Sequence, residues 1–187
     1  MSVRLGSHLL TDARRAARTS VDGEIVVLDA QDRSLWNPWQ IDEGLALVER
    51  ALSSRRFGPY MLQAAIAAVH AEAREAAATD WRQIVGLYDV LMRVDASPPS
   101  PIVELNRAAA IAMRDGPEAG LVLVDAILAR GELAGYHLAH SARADLCRRL
   151  GRKADAIAAY ERAFALTNQS PERRFLERRL SELRSTS

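Results

Sequence analysis

The chain has 187 residues, 49% of them apolar and 26% charged, which is the composition of a globular protein with one sizeable domain or two small ones. A formal net charge of +1 excludes a chain that binds polyanions as a whole, and a single cysteine excludes an intrachain disulfide and a cysteine-based metal cluster. The N-terminal sequence lacks a signal-peptide pattern and no window approaches the roughly 18 apolar residues of a membrane span, so we expect a soluble, cytoplasmic protein.

The N-terminal part of the sequence predicts one helix and a connector. Apolar residues at helical spacing in SHLLTDARRAAR predict a first helix within residues 1–18. Residues 19–40 form the connector, in which Asp22-Gly23 predicts a turn and the run from Glu24 to Leu28 is the one strand-like segment. A lone hairpin is marginal unless it packs on helices, so we expect one short hairpin or an extended connector there.

Beyond Asn37-Pro38 the apolar spacing is helical to the end of the chain. A hairpin region, 41–95, precedes a repeat-like region, 101–184, and the proline-rich run ASPPSP at 96–101 separates them; its last proline suits the first position of a helix. We expect one helical domain over 1–187. The predicted helices cover residues 41–53, 59–77, 79–95, 102–114, 117–129, 136–150, 153–167 and 171–184.

Two of these helices carry the same small–large–small pattern after a glycine turn. The sets are Gly116 with Ala119, Leu123 and Ala126, and Gly151 with Ala156, Tyr160 and Ala163. Small residues let paired helices approach closely, and the larger residue fills the groove between them. The pattern resembles the second helix of a tetratricopeptide repeat, and residues 136–168 make the best single repeat. The predicted fold is therefore all-α, a degenerate, tetratricopeptide-like array of antiparallel helical hairpins.

Polar residues on helix 59–77 raise the question of a reaction site. Tyr60, Gln63 and His70 fall on one face of that helix, opposite its apolar residues. Such a face is most often solvated or in contact with another helix; a recognition face is the second interpretation and a catalytic or metal site the third. His137 and His140 can share a helix face, but no carboxylate at ligand spacing completes a metal set. We predict no metal and no cofactor.

The tryptophans near residue 37 and the C-terminal arginines also have structural interpretations. Trp36 and Trp39 flank Asn37-Pro38 and either plug the end of a helical array or form an exposed docking spot. The C-terminal arginines alternate with glutamates, which favours a solvated, salt-bridged helix face over contact with DNA. The sequence contains no phosphate loop, nucleophile elbow or HExxH motif, so we predict that the chain is not an enzyme.

Several stretches, read in order, resemble one family. They are LLTDARRAAR, VDGEIVVLDAQDRSLWNPWQIDEGLALVERAL, GPYMLQAAIAAVHAEA, TDWRQIVGLYDVL, PSPIVELNRAAAIAM, GPEAGLVLVD and GYHLAHSARADLCRRLGRKADAIAAYERAFAL. Together they are similar to the tetratricopeptide-like C-terminal extension of bacterial extracytoplasmic-function (ECF) RNA polymerase sigma factors. The polymerase-binding and helix-turn-helix domains that precede this extension in the family are not found in this sequence.

The resemblance implies a non-catalytic regulatory module of transcription initiation. It implies a protein partner, either sigma domains in cis or RNA polymerase, with no sequence-specific DNA binding and no membrane contact of the segment itself. The candidate interaction or structural residues in the family-like stretches are Gln31, Asp32, Arg33, Trp36, Tyr60, Gln63, His70, Asp80, Trp81, Asn106 and Arg107. We expect the polar sets at 31–33 and 106–107 to bond across helices or to the connector and fix its path; a contact surface for sigma domains is the alternative.

Two other functions remain open from the residues alone. A free-standing helical scaffold would bind a peptide or protein in a groove between its hairpins. A small-molecule sensor or enzyme would place its pocket near Tyr60, Gln63, His70 and Trp81.

Overall fold

A computed structural model describes residues 2–21, 23–53, 58–94 and 100–185. Within these ranges it contains nine α-helices, and within each of the two compact units described below neighbouring helices pack on one another, which confirms the predicted all-α helical array. The helices are α1 (Ser2–Asp12), α2 (Pro38–Ser53), α3 (Pro59–Glu72), α4 (Trp81–Val94), α5 (Pro101–Asp115), α6 (Pro117–Ala129), α7 (His137–Arg149), α8 (Lys153–Leu166) and α9 (Ser170–Ser185). No helix in the described ranges combines the length and the apolar character needed to cross a membrane.

The connector between α1 and α2 is extended, with short 3-10 turns at Arg15–Ala17, Leu28–Ala30 and Arg33–Leu35. The prediction of a strand from Glu24 to Leu28 is wrong. In the described part of the connector, β pairing is limited to an isolated antiparallel bridge between Thr19 and Ile25. Gly23 has a φ of 75° at the tip of this small hairpin, while Asp22 lies outside the described residues. A single bridge has no neighbouring strand to extend it, so the chain leaves it for a 3-10 turn.

Helix α1 ends earlier than its apolar pattern suggests. It stops at Asp12, not at residue 18, because other groups take its C-terminal carbonyls. The guanidinium of Arg18 donates to the carbonyl oxygen of Thr11, and the backbone N–H of Asn37 donates to that of Ala13 at 2.9 Å. The connector therefore returns to the end of α1 before α2 begins.

Contacts divide the chain into two compact units, Met1–Pro99 and Ser100–Ser187. The predicted separator at 96–101 lies mostly outside the described residues, but Pro101 opens α5 as expected. The single domain over 1–187 stays a prediction.

In the first unit α1, α2 and α3 pack around an apolar cluster of Leu10, Val48, Ala64 and Ala68, and α4 packs on α3. Glycine allows the closest approach, since a Cβ at Gly44 would lie 2.7 Å from the Cγ of Leu10.

In the second unit α5 packs on α6, α7 on α8 and α9 on α8. One apolar cluster joins helices α5 to α8 and contains Cys147, which is fully buried. A second cluster surrounds Tyr160, which is 1% exposed, and includes Ala163. Ala156 is also fully buried, and Gly151 makes the preceding turn with a φ of 73°. The small–large–small set of α8 is thus an internal face.

The corresponding set of α6 is displaced by one residue. Ala126 is exposed and Ala119 and Leu123 are half-buried. The internal positions are instead Gly120, Val124 and Ile127. The difference is one of register within the helix: Ala156 is the fourth residue of α8, whereas Ala119 is the third residue of α6 and Gly120 is the fourth. At Gly120 a Cβ would lie 2.9 Å from the carbonyl oxygen of Ala108, so glycine sets the approach of α5 and α6.

Candidate functional site

Arg33 ties the connector to the far end of α3. Its Nη1 donates to the carbonyl oxygen of His70 at 3.0 Å and to that of Ala73, and its Nη2 donates to the hydroxyl of Thr79 at 3.1 Å. These acceptors include the orphan carbonyls of a helix C-terminus, which attract a cation. The arrangement explains why α3 ends at Glu72 and not at residue 77 as its composition predicts.

The ring of Trp36 lies under two guanidinium groups. The Cζ of Arg33 is 4.6 Å and that of Arg14 is 5.7 Å from its centroid, both within the range of cation–π attraction. Trp36 is only 5% exposed, so it is a buried plug of the first unit and not a docking spot. Trp39, the second residue of α2, is 83% exposed.

His70 completes the cluster from α3. Its ring meets that of Trp81, the first residue of α4, edge to face at 5.2 Å between centroids. Burial, and then the charges of Arg14 and Arg33, lower the pKa of His70 to about 4. The imidazole is therefore neutral at pH 7. We call Trp36, Arg14, Arg33, His70 and Trp81 the Trp36 cluster.

Gln31 and Asp32 shape the connector locally. The side-chain amide of Gln31 donates to the carbonyl oxygen of Val26 at 3.1 Å. Asp32 is exposed and accepts from the backbone N–H of Ser34 at 2.9 Å, which caps the 3-10 turn that carries Arg33. Hydrogen bonding from the side chain of Ser34, and then from its backbone N–H, lowers the pKa of the Asp32 carboxyl. Both residues thus position Arg33.

The three polar residues of α3 do not form one site. Tyr60 is 58% exposed, with the Cζ of Arg4 4.3 Å from its ring centroid, and Gln63 is also exposed. His70 is half-buried and faces Trp81. Two turns of helix separate them, so the first pair lies at the surface and the last in the cluster.

The remaining predicted residues have separate places. Asp80 accepts from the backbone N–H of Gln83 at 2.9 Å and so caps the start of α4. On α5, Asn106 is exposed and Arg107 is half-buried.

The second unit has a polar contact that the sequence did not single out. The Nε2 of His137 lies 2.9 Å from an Oε2 of Glu172, which also accepts from the hydroxyl of Thr167. Arg173 donates to the carbonyl oxygen of Thr167 at 3.0 Å and covers the ring of Phe164 at 3.7 Å. The approach of His137 to Glu172 brings the start of α7 against the start of α9.

The sequence pattern did not reveal the roles of Arg14, in the Trp36 cluster, and of Thr79, which bonds to its Arg33. Arg14 reads as a surface position of an amphipathic helix, and the buried hydroxyl of Thr79 as a cap for α4. The contact of Arg14 with Trp36 and that of Thr79 with Arg33 distinguish them, and a sequence pattern does not relate residues so far apart in the chain. Across the described ranges, no group of three or more histidine, cysteine, aspartate or glutamate side chains is placed to hold a metal ion.

Comparisons with known proteins give relatives without an assigned role. Residues 7–52, which carry the second half of α1, the connector and most of α2, match the model of a family of unknown function, DUF6596. The chain is 43% identical over 175 residues to an uncharacterized protein of Rhizobium meliloti (strain 1021). That alignment covers 94% of this chain and 40% of the relative, so the chain spans less than half of the relative's length. No solved structure matches the chain. The chain is thus similar, along nearly all of its length, to one part of a longer uncharacterized protein.

Proposed function

We propose that this chain is a non-catalytic protein-interaction module of an ECF-type sigma factor, which acts in transcription initiation by contacting sigma domains or RNA polymerase. The observation that carries the proposal is the alignment with a longer protein, in which 94% of this chain corresponds to 40% of the relative. A segment that is similar throughout to part of a longer chain suits a module that works together with other domains. The ordered resemblance to the sigma-factor extension supplies the identity of those domains.

The helical pairs of the second unit support a binding role. Helices α5 and α6, and then α7 and α8, are consecutive, closely packed pairs joined by short turns. Stacked helical pairs of this kind commonly present side chains to a partner macromolecule.

Exposed apolar side chains supply a candidate contact. Trp39 is 83% exposed and Leu35 53% exposed, and both lie in the segment that matches the family model. Tryptophan is the residue most enriched among those that dominate binding free energy at protein interfaces. We therefore place Trp39 in the surface that meets the partner.

The test measures binding of the purified chain to two probes, core RNA polymerase and the promoter-binding domains of an ECF sigma factor from the same organism. We expect one of them to bind in biolayer interferometry, and Trp39→Ala to weaken that binding at least about tenfold, as loss of an interface tryptophan does. Leu5→Ala is the control, because Leu5 is an apolar side chain of α1 that is 49% exposed and lies outside the residues that match the family model.

Each other outcome has a definite meaning. Absence of binding to both probes contradicts the sigma-factor proposal. Binding to a defined peptide or protein other than these two supports the free-standing scaffold instead. An equal loss of affinity in Trp39→Ala and Leu5→Ala would show that Trp39 makes no specific contact, while the interaction of the chain with its partner would stand.

A further inference from the structure

The Trp36 cluster concentrates positive charge inside the first unit. Arg14 and Arg33 lie over one indole ring, and the pKa of Arg14 is lowered by burial and then by the charges of Arg18 and Arg33. In the described part of the chain no hydrogen bond or ion pair reaches the side chain of Arg14. Half-buried like charges repel strongly, since the surroundings screen them less than water does.

Arg33 and Arg14 differ in how many hydrogen-bond acceptors their side chains contact. The two terminal nitrogens of Arg33 donate hydrogen bonds to three acceptors, so Arg33 has a structural role. Arg14 is half-buried and contacts the Trp36 ring, and among the described residues no acceptor is bonded to its guanidinium.

Unused donors lie beside these arginines. The indole N–H of Trp36 and the Nε–H of Arg33 are buried without a hydrogen-bond partner, although Trp36 is only 5% exposed. Buried polar groups in native proteins are almost always satisfied, so a concentration of unpaired ones calls for a partner that supplies acceptors.

We propose that the Trp36 cluster binds an oxyanion, a phosphate or carboxylate group of a small ligand, with the guanidinium of Arg14 and the indole N–H of Trp36 as its donors. Guanidinium pairs with both kinds of oxyanion through two parallel hydrogen bonds. Arg33 and Arg18 contribute charge, and Arg14 moves to admit the ligand. The inference does not depend on the sigma-factor proposal, because it concerns a site within the first unit.

The indole N–H resonances of the three tryptophans provide a direct measurement. In a ¹⁵N-labelled full chain each indole gives one peak, which a Trp→Phe variant assigns. Inorganic phosphate and citrate, titrated separately at constant ionic strength, test the two chemistries. We expect the Trp36 peak to shift saturably, with a Kd below about 10 mM, while the peak of exposed Trp39 stays in place.

Variants of neighbouring arginines separate a binding role from a structural one. Arg14→Gln should weaken binding at least tenfold and, without ligand, leave the melting temperature unchanged or raised, since it removes repulsion. Arg15→Gln is the control, because Arg15 is an exposed neighbour, and it should bind as the parent does. Arg14→Lys keeps the charge and should bind with intermediate affinity.

Three results would overturn the proposal. They are a Trp36 peak that does not saturate with either anion, equal affinity in Arg14→Gln and the parent, and a lowered melting temperature of ligand-free Arg14→Gln. The last would make Arg14 a structural residue. Saturation by phosphate alone or by citrate alone identifies which oxyanion the site accepts. A polymerase-binding assay that fails while this titration succeeds would remove the proposed function and leave the site.

Discussion

His70 links the charge of the Trp36 cluster to pH. Its ordinary pKa of 6.5 falls to about 4 in the folded chain, so the unfolded chain binds a proton at higher pH than the folded one does. The stability that neutral His70 supports is complete above pH 6.5 and is lost as the pH falls toward 4. Between pH 7 and pH 5 the loss from this group is about 2 kcal/mol.

Urea unfolding at the two pH values measures this loss. We expect the parent to lose about 2 kcal/mol more than His70→Gln does between pH 7 and pH 5, because the variant has no imidazole to protonate. The exposed His8 gives the control, His8→Gln, which should follow the parent. Identical pH dependence in the parent and His70→Gln would mean that His70 is protonated as easily in the fold as in the unfolded chain.

At the scale of elements, a substitution at Gly120 tests the packing of α5 on α6, and Gly86 in α4 provides the control. A Cβ at Gly120 would overlap the Cβ of Ala112 and lie 2.9 Å from the carbonyl oxygen of Ala108. Gly120→Ala should therefore lower the free energy of unfolding by about 1–3 kcal/mol, the usual cost of overpacking. Gly86, inside α4, has no atom within 4 Å of its Cβ position.

Gly86→Ala is thus the matched control, and it should raise stability by about 0.5–1 kcal/mol through helix propensity alone. Chemical denaturation of both variants gives the comparison. Opposite signs agree with the close contact of α5 and α6; a stabilised Gly120→Ala would show that the two helices are farther apart.

Element boundaries show how far the sequence alone could go. The bounds of α6 could be read directly, because Gly116 and Pro117 mark its start and its apolar residues end near Ala129. The end of α3 could not, since Arg33, 37 residues before His70, takes its last carbonyls. Alanine at residues 71, 73 and 76–78 favours a longer helix, and a long-range hydrogen bond overrides that local preference.

The same limit applies to the candidate site. Spacing placed Tyr60, Gln63 and His70 on one helix face, but it could not say which part of that face another element covers. Trp36 and Trp81 were recognised as unusual residues, whereas their convergence on His70 and Arg33 depends on the path of the connector. The prediction of the inward face of α6 failed because it began at Ala119, the third residue of the helix, whereas Ala156 is the fourth residue of α8 and its counterpart in α6 is Gly120.

At the scale of the whole molecule, the second unit holds both of its apolar clusters within itself. We expect the fragment 100–187 to be helical by circular dichroism and to unfold cooperatively in urea, since a segment with its own core folds as a unit. Tyr160→Ala in this fragment should cost about 3–5 kcal/mol, as other truncations of buried aromatic residues do.

Tyr160→Phe is the control for that truncation. It keeps the ring in the cluster and should retain most of the stability. A fragment without helical signal would mean that the second unit needs the rest of the chain, and a cost below about 1 kcal/mol for Tyr160→Ala would contradict the packing of α8 around this ring.

Cys147 gives the protein a built-in reporter. The chain has one thiol, it is fully buried, and burial raises its pKa, so an alkylating reagent meets little thiolate in the native state. Modification of Cys147 requires the second unit to open. The rate of thiol trapping under native conditions therefore reads the opening of that unit in the intact chain, with no label added and none of the first unit's motions in the signal.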